Sequence, residues 1–287
     1  MLAVKDLCGI CGGFVQDRPV DRPAWWDPGM AWNGLLYSLY TRRLRTQLTG
    51  ANLPRHVAMV IDGNRRWARQ MGFDDPRVGH RYGAEHLHEV LGWCAEYRIR
   101  HVTVFLASVD NVRKRDSGEV GNLMRMIEDV VAEPLRRPDS RWRVHLAGRL
   151  DMLPSSTRQA LKLAEEETRD NGGTHHLTIA IGYDGRDEIV NAIRSLLEEE
   201  SRAGHGVDDI AQRLTAGRLA EHLYTSGQPD PDLVIRTSGE RRMSGFLLWQ
   251  AAYSELHFCD VYWPGFRKVD FLRALRSYAA RHRRFGA

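Results

Sequence analysis

From Val57 onward, short apolar runs alternate with longer stretches in which apolar residues recur every three or four positions. The short runs are VAMVI (57–61), VTVFL (102–106), WRVHLAG (142–148), HLTIAIG (176–182) and DLVIR (232–236). Each predicts a strand. Between them lie YGAEHLHEVLGWCAEY, EVGNLMRMIEDVVAEPL, SSTRQALKLAEEETRD and RDEIVNAIRSLLEEESR, all with helical spacing. Asn, Ser or Asp stands near several of their starts, and NGG at 171–173 closes one. Strands alternating with helices predict an α/β fold: a mostly parallel central sheet flanked by helices, in a single domain over 54–287. PDPD (229–232) reads as a rigid lead-in to the last strand rather than a linker, and there is no internal repeat.

The first part of the chain has a different pattern. Residues 1–29 are rich in Gly, Pro and Asp, show no period, and predict a disordered extension. In GLLYSLYTRRLRTQL (34–48), Leu35, Leu36, Leu39, Leu44 and Leu48 fall near helical spacing with arginines between them. Within 30–53 this predicts a short amphipathic helix, able to dock on the domain or touch a membrane surface.

Composition narrows the class. With 43% hydrophobic residues in 287, the chain can bury a sizeable core. The net charge of +4, from 41 basic and 37 acidic residues, is too small to argue for nucleic acid. Basic and aromatic residues do not interleave on one surface, which removes a single-strand binder. No apolar run approaches the ~20 residues of a membrane span, and the start lacks the apolar core of a signal peptide. These features predict a cytoplasmic protein. Cys8 and Cys11 form a lone C-x-x-C without a second zinc-spaced pair, while Cys94 and Cys259 sit in apolar surroundings and read as core.

The chemistry concentrates where strands end. In HVAMVIDGNRRWARQMG, the first strand breaks into Asp62, Gly63, Asn64, Arg65 and Arg66 and runs straight into a helix. Ligands of an open α/β sheet bind outside the carboxyl ends of its strands. Gly63 lets a ligand approach the backbone, and the helix start with its arginines suits an anion such as phosphate. A carboxylate beside a phosphate is repelled unless a divalent cation bridges them. Asp62 therefore either serves a cation or merely caps the helix, with Asn64 helping.

A second constellation favours the cation. In DLVIRTSGERRMSGFLLWQAAYSELHF, Arg236 ends a strand and a loop follows with Thr237, Ser238, Arg241, Arg242 and Ser244. Arginines and hydroxyls so close together make a second diphosphate clamp. Glu255 lies inside an apolar run, where a lone carboxylate is either paired or functional. FLASVDN ends a third strand with Ser108, Asp110 and Asn111. Two anion sites, carboxylates for a cation and apolar strands beneath suit two substrates with diphosphate heads and greasy tails.

These segments, with GHRYGAE and the terminal ARHRRFG, resemble the cis-prenyltransferases of the undecaprenyl diphosphate synthase type over residues 54 to 286. RRWAR, GFDD and LYTSGQPDPDLVIRTSGE look most like the short-chain actinobacterial members, the Z,E-farnesyl diphosphate synthases. The resemblance implies that Asp62 holds Mg²⁺ and the allylic diphosphate. Gly63, Asn64, Arg65, Arg66 and Trp67 would bind that diphosphate, with His80 close by. Arg236, Arg242 and Ser244 would clamp isopentenyl diphosphate. Ser108 and Asn111 would orient the reacting ends, and Asn111 with Asp62 makes the catalytic pair. Glu255 would help hold Mg²⁺, from the partner subunit or by its own chain folding back. The family implies a homodimer and an apolar tunnel between the sheet and helices at about 79–97 and 117–136. For the released proton, Asp62, His80 and a diphosphate oxygen are all candidate acceptors.

Several positions depart from the family pattern. Asp110 stands for the usual Glu, Val112 for Trp or Leu, Lys114 for Arg and Asp184 for a glycine. Leu106 occupies a tunnel-facing position that is often Ala in long-chain members, and its bulk would stop a growing chain. The expected product is therefore a fifteen-carbon Z-prenyl diphosphate from geranyl diphosphate. The rivals are a decaprenyl or undecaprenyl product, a head-to-middle condensation of the lavandulyl type, and a non-catalytic partner subunit. The last class loses the metal aspartate, which is present here.

Overall fold

The computed structural model describes residues 31–114, 117–132, 135–136, 140–170 and 172–281. Cys8, Cys11, Arg115 and most of the ARHRRFG segment lie outside the described residues.

β1 (His56–Val60) is buried at every position, as a strand covered on both faces must be. After it come α2 (Asn64–Gln70), α3 (Pro76–Glu96) and β2 (His101–Ser108). The chain continues through α4 (Val109–Lys114) and α5 (Ser117–Met126), which passes into a π-wound segment, Ile127–Ala132. Then follow β3 (Trp142–Ala147), α6 (Ser155–Glu167), β4 (His175–Tyr183) and α7 (Gly185–Arg202). Two short helices, α8 (Val207–Arg213) and α9 (Ala216–Ala220), lead to β5 (Leu233–Arg236), β6 (Glu255–Phe258) and α10 (Lys268–Ala279). α1 (Ala31–Leu48) precedes them all.

The six strands form one sheet in the order β3-β4-β2-β1-β5-β6, with every pair parallel. The expected parallel α/β architecture is present. One side of the sheet carries the large core, with Val57, Met59, Val102 and Val104 packed against Leu87, Leu91, Ile127 and Leu272. The other side buries Ala58, Ala180, Tyr183 and Val234 under Phe246 and Leu247. Strand order turns back on itself beside β1, which has β2 on one flank and β5 on the other. A crevice for a ligand forms at such a switch point.

Three expectations need correction. Glu255 does not sit inside an apolar run; it opens a sixth strand, β6, whose four residues are too few to show a period. The helix expected to start at 117 does not stay α-helical, because it unwinds into a π-helical segment at Ile127. The leucines spaced along α1 do not all share one buried face. Leu44 and Leu48 are buried, and Tyr40 lies under the Arg273 guanidinium of α10, 5.1 Å from its ring centre. Leu36 and Leu39 are exposed.

Candidate active site

A cavity of about 670 Å³ opens at the carboxyl ends of β1, β2 and β5. Its mouth carries Asp62, Arg65, Arg66, Arg236 and Ser244, and its wall below carries Ala84, Leu87, Leu123, Ile127 and Val131. Polar chemistry therefore sits above an apolar chamber.

Asp62 is the hub. One carboxylate oxygen accepts from Arg66 Nη2 at 3.2 Å, and the other accepts from Arg236 Nη2 at 3.1 Å. Its backbone is fixed by Thr237, whose hydroxyl accepts from the Asp62 amide at 2.9 Å and donates to its carbonyl at 2.8 Å. Burial alone would raise the Asp62 carboxyl. The Ser238 hydroxyl and the charges of Arg66 and Arg236 outweigh it and hold the group below its ordinary value. No side chain caps α2, so helix capping is not the task of Asp62 or Asn64.

The turn after Asp62 requires glycine. Gly63 has φ 101°, and a Cβ there would lie 2.6 Å from Tyr262 Cδ1. Tyr262 also stacks under Arg66, 5.3 Å from its guanidinium carbon. Asn64 lies against α3, where Gly83 makes room for its amide oxygen.

Arg236 is 4% exposed. Besides Asp62 it donates to Ser244 Oγ at 2.7 Å and to the carbonyl of Arg242. Buried in this way, its charge depends on Asp62 for compensation. Ser238 and Ser244 both have positive φ, 81° and 50°, so the loop is held in a conformation that costs backbone energy. Ser238 Oγ accepts from Arg66 at 2.9 Å. Glu240 bridges Arg66, at 3.4 Å, and Arg242. Across the mouth, Ser108 Oγ accepts from the Asn111 amide at 3.0 Å, and Asn111 and His80 line the cavity.

Three expected site residues lie elsewhere. Trp67 is 3% exposed and packs on Phe73 and Tyr82, beneath the wall rather than in it. The Arg242 side chain points outward to Glu240, and only its carbonyl meets Arg236. Glu255 pairs in register with Leu233 at the start of β5, whereas Arg236 ends that strand at the rim. Three residues of strand span roughly 10 Å, so Glu255 is at the opposite edge from Asp62 in its own chain, ion-paired with Arg281. Folding back within one chain therefore does not bring it to Asp62.

Two residues have tasks that the sequence did not assign them. Thr237 fixes Asp62, and only its place after a strand-ending arginine hinted at this. Asp184, noted as a departure from glycine, lines the cavity and caps α7, accepting from the Arg186 and Asp187 amides at 2.9 and 3.2 Å. Gly185 then donates to the Gly245 carbonyl at 2.9 Å, which fixes the loop beside Ser244.

Comparison with known proteins places this geometry. Residues 60–286 match the family model described as "Putative undecaprenyl diphosphate synthase". The chain is 58% identical over 254 residues to an isoprenyl transferase of Streptomyces fradiae, covering 88% of this chain and 98% of that one. It is 52% identical over 251 residues to a (2Z,6E)-farnesyl diphosphate synthase of Thermobifida fusca, covering 88% and 97%. The fold is similar to that of lavandulyl diphosphate synthase from Lavandula x intermedia, solved with dimethylallyl diphosphate: TM-score 0.74, 32% identity, 82% of this chain and 99% of that one. These relatives are matched along most of their length, and the chain belongs to the undecaprenyl diphosphate synthase family of prenyltransferases.

Proposed function

We propose that the protein condenses isopentenyl diphosphate with geranyl diphosphate to give a fifteen-carbon product, Z,E-farnesyl diphosphate. The observation that carries this is the shape of the cavity. On α3 its lining runs from His80 to Leu87, and on β2 from Ser108 back to Phe105. Either path descends roughly 10 Å. That depth suits a tail of two or three isoprene units, not ten. Leu106 lines the same cavity. The Thermobifida fusca relative carries the name of this reaction.

The donor set suits Mg²⁺. Asp62 is a hard oxygen ligand kept ionised by its neighbours, and Mg²⁺ commonly takes one or two carboxylates with substrate phosphates and water. Bound there, Mg²⁺ would neutralise charge on the departing diphosphate. Arg65, Arg66 and His80 would hold the allylic diphosphate, and Arg236 and Ser244 the isopentenyl diphosphate. The allylic C–O bond breaks, the isopentenyl double bond attacks the freed carbon, and a proton leaves to form the cis double bond. Ser108 and Asn111 would orient the two ends. Asp62, His80 and a diphosphate oxygen are the candidate acceptors for the proton. The apolar wall keeps water from the cationic intermediate.

The same proposal takes the chain as a homodimer. Val190, Ile193 and Leu197 share one face of α7 and are exposed, with Leu248 also exposed beyond the start of that helix. Such a stripe suits a self-complementary interface. Glu255 would then reach a metal only across that dimer. Sedimentation should give a dimer, and Ile193→Glu a monomer; a monomeric unmodified protein removes this part.

The test of the reaction is direct. The purified protein is incubated with Mg²⁺, labelled isopentenyl diphosphate and, in turn, dimethylallyl, geranyl or farnesyl diphosphate. The dephosphorylated products are separated against cis and trans standards. One cis fifteen-carbon product, made best from geranyl diphosphate, is expected. A long polyprenol or a branched ten-carbon product would overturn the proposal.

A further inference from the structure

Two irregularities lie in elements that line the cavity. The first is in β2. Phe105 pairs with Ala180 and Ala107 with Ile181, so Leu106 is an extra residue with no partner in the ladder. Such a bulge re-aims side chains. It leaves Leu106 and Ala107 both on the side of the large core, while Phe105 packs on the other side.

The second is the π-wound segment Ile127–Ala132. Leu123, Met126, Ile127 and Val131 line the cavity from this element. In an α-helix four residues advance about 40° beyond a full turn. In a π-helix, at about 4.4 residues per turn, four residues fall about 30° short of one. From Leu123 to Val131 the net rotation is therefore roughly 10°, whereas unbroken α-winding would give roughly 80°. This underwinding brings Val131 into line with Leu123 and Ile127. The element follows β2 and runs away from the rim, so Val131 is the lining residue deepest along it.

The π segment is also anchored from outside. Glu128 Oε1 accepts from Ser156 Oγ at 3.0 Å and from Thr157 Oγ1, at the start of α6. Thr157 is fully buried. A carboxylate fixed by two hydroxyls of a neighbouring helix holds the rotation of the segment that carries it.

We propose that Val131, turned into the cavity by the Glu128-anchored π segment, is a second determinant of product length, acting with Leu106. Val131 is the specificity residue, and Glu128 is a positioning residue that acts through it. This rests on the short-chain reaction proposed above. Two stops are needed because the growing tail is flexible: a chain that slips past Leu106 still meets Val131.

The experiment compares end products of the unmodified protein with those of Val131→Ala, Leu106→Ala, the double variant, Glu128→Ala and Glu128→Gln. Val131→Ala should lengthen the main product by one isoprene unit. The double variant should lengthen it beyond either single change. Glu128→Ala should behave like Val131→Ala, whereas Glu128→Gln, which keeps the acceptor oxygen, should retain the original length. Val131→Ile provides a second variant that creates no cavity; it should lower turnover of farnesyl diphosphate as primer at least tenfold relative to geranyl diphosphate. If Val131→Ala is folded and its product is unchanged, the proposal is wrong. If that variant does not fold, an unchanged primer preference in Val131→Ile overturns it instead. The unmodified protein's own product judges the short-chain reaction separately, and the difference between it and the variants judges Val131.

Discussion

Asp62 balances three demands at one position. It compensates the buried Arg236, anchors Arg66 and offers a carboxylate at the cavity mouth. Asp62→Asn keeps the shape and removes the charge. We expect kcat/KM to fall by about 10²–10³-fold, the scale of losing one electrostatic contributor to a transition state. Arg236 then loses its ionic partner, so a thermal melt should also show a modest loss of stability. Activity within threefold of the unmodified protein would show that Asp62 is structural only. At this scale the sequence was highly legible. Asp62, Gly63, Arg65, Arg66, Ser108, Asn111, Arg236 and Ser244 all line the cavity. The reason is local: residues at strand ends of a parallel sheet share one rim whatever the loops between them do. Trp67 was less legible, because one side chain of a short helix points either to ligand or to core according to a partner elsewhere in the chain, here Tyr82.

Elements were legible in proportion to their length. α3 and α7 have enough turns to display their period, and β1, β2, β4 and β5 enough apolar run. β6 has only four residues, all part-exposed, and shows neither pattern. The bulge at Leu106 and the π winding at Ile127 are equally silent in sequence. Both are settled by partners: β4 for the first, and the hydroxyls of α6 for the second. For α1, the spacing of its leucines was visible, but which of them face α10 was not.

Over the whole molecule, the sheet separates a reactive edge from a structural one. The strands carry acids and arginines at their carboxyl ends and histidines towards their amino ends. His145, His176, His101 and His56 form a row across β3, β4, β2 and β1. His101 stacks on His176 with ring centres 4.7 Å apart, and His145 Nε2 lies 3.0 Å from His176 Nδ1. His56 is 3% exposed and bonds the Pro229 carbonyl and the Thr103 hydroxyl. Burial first, and neighbouring His and Arg charges next, hold this row neutral. His56 and His145 are pushed down to about 4. In the unfolded chain each titrates near 6.5. Between these values the unfolded state binds more protons, so stability rises with pH across the window. The contribution is complete above about pH 6.5 and is lost as pH falls toward 4. For His56 alone it is on the order of 3 kcal/mol. Urea unfolding at pH 7.5 and 4.5 should show the loss, and His56→Asn should flatten it. Equal unfolding midpoints at both pH values would refute this account. Among the described residues no helix is long and apolar enough to cross a membrane.

By itself, the sequence determined the α/β class, the strands that meet at the rim, and the residue types that bind diphosphate there. Those properties depend on local periodicity and on chemistry a few residues apart. Only the tertiary structure decided that Glu255 stands at the far edge in its own chain, that Trp67 is core, and that Leu106 and Val131 line one cavity. Each of these depends on contacts between segments distant in sequence, and no pattern within one segment records which surface another will cover.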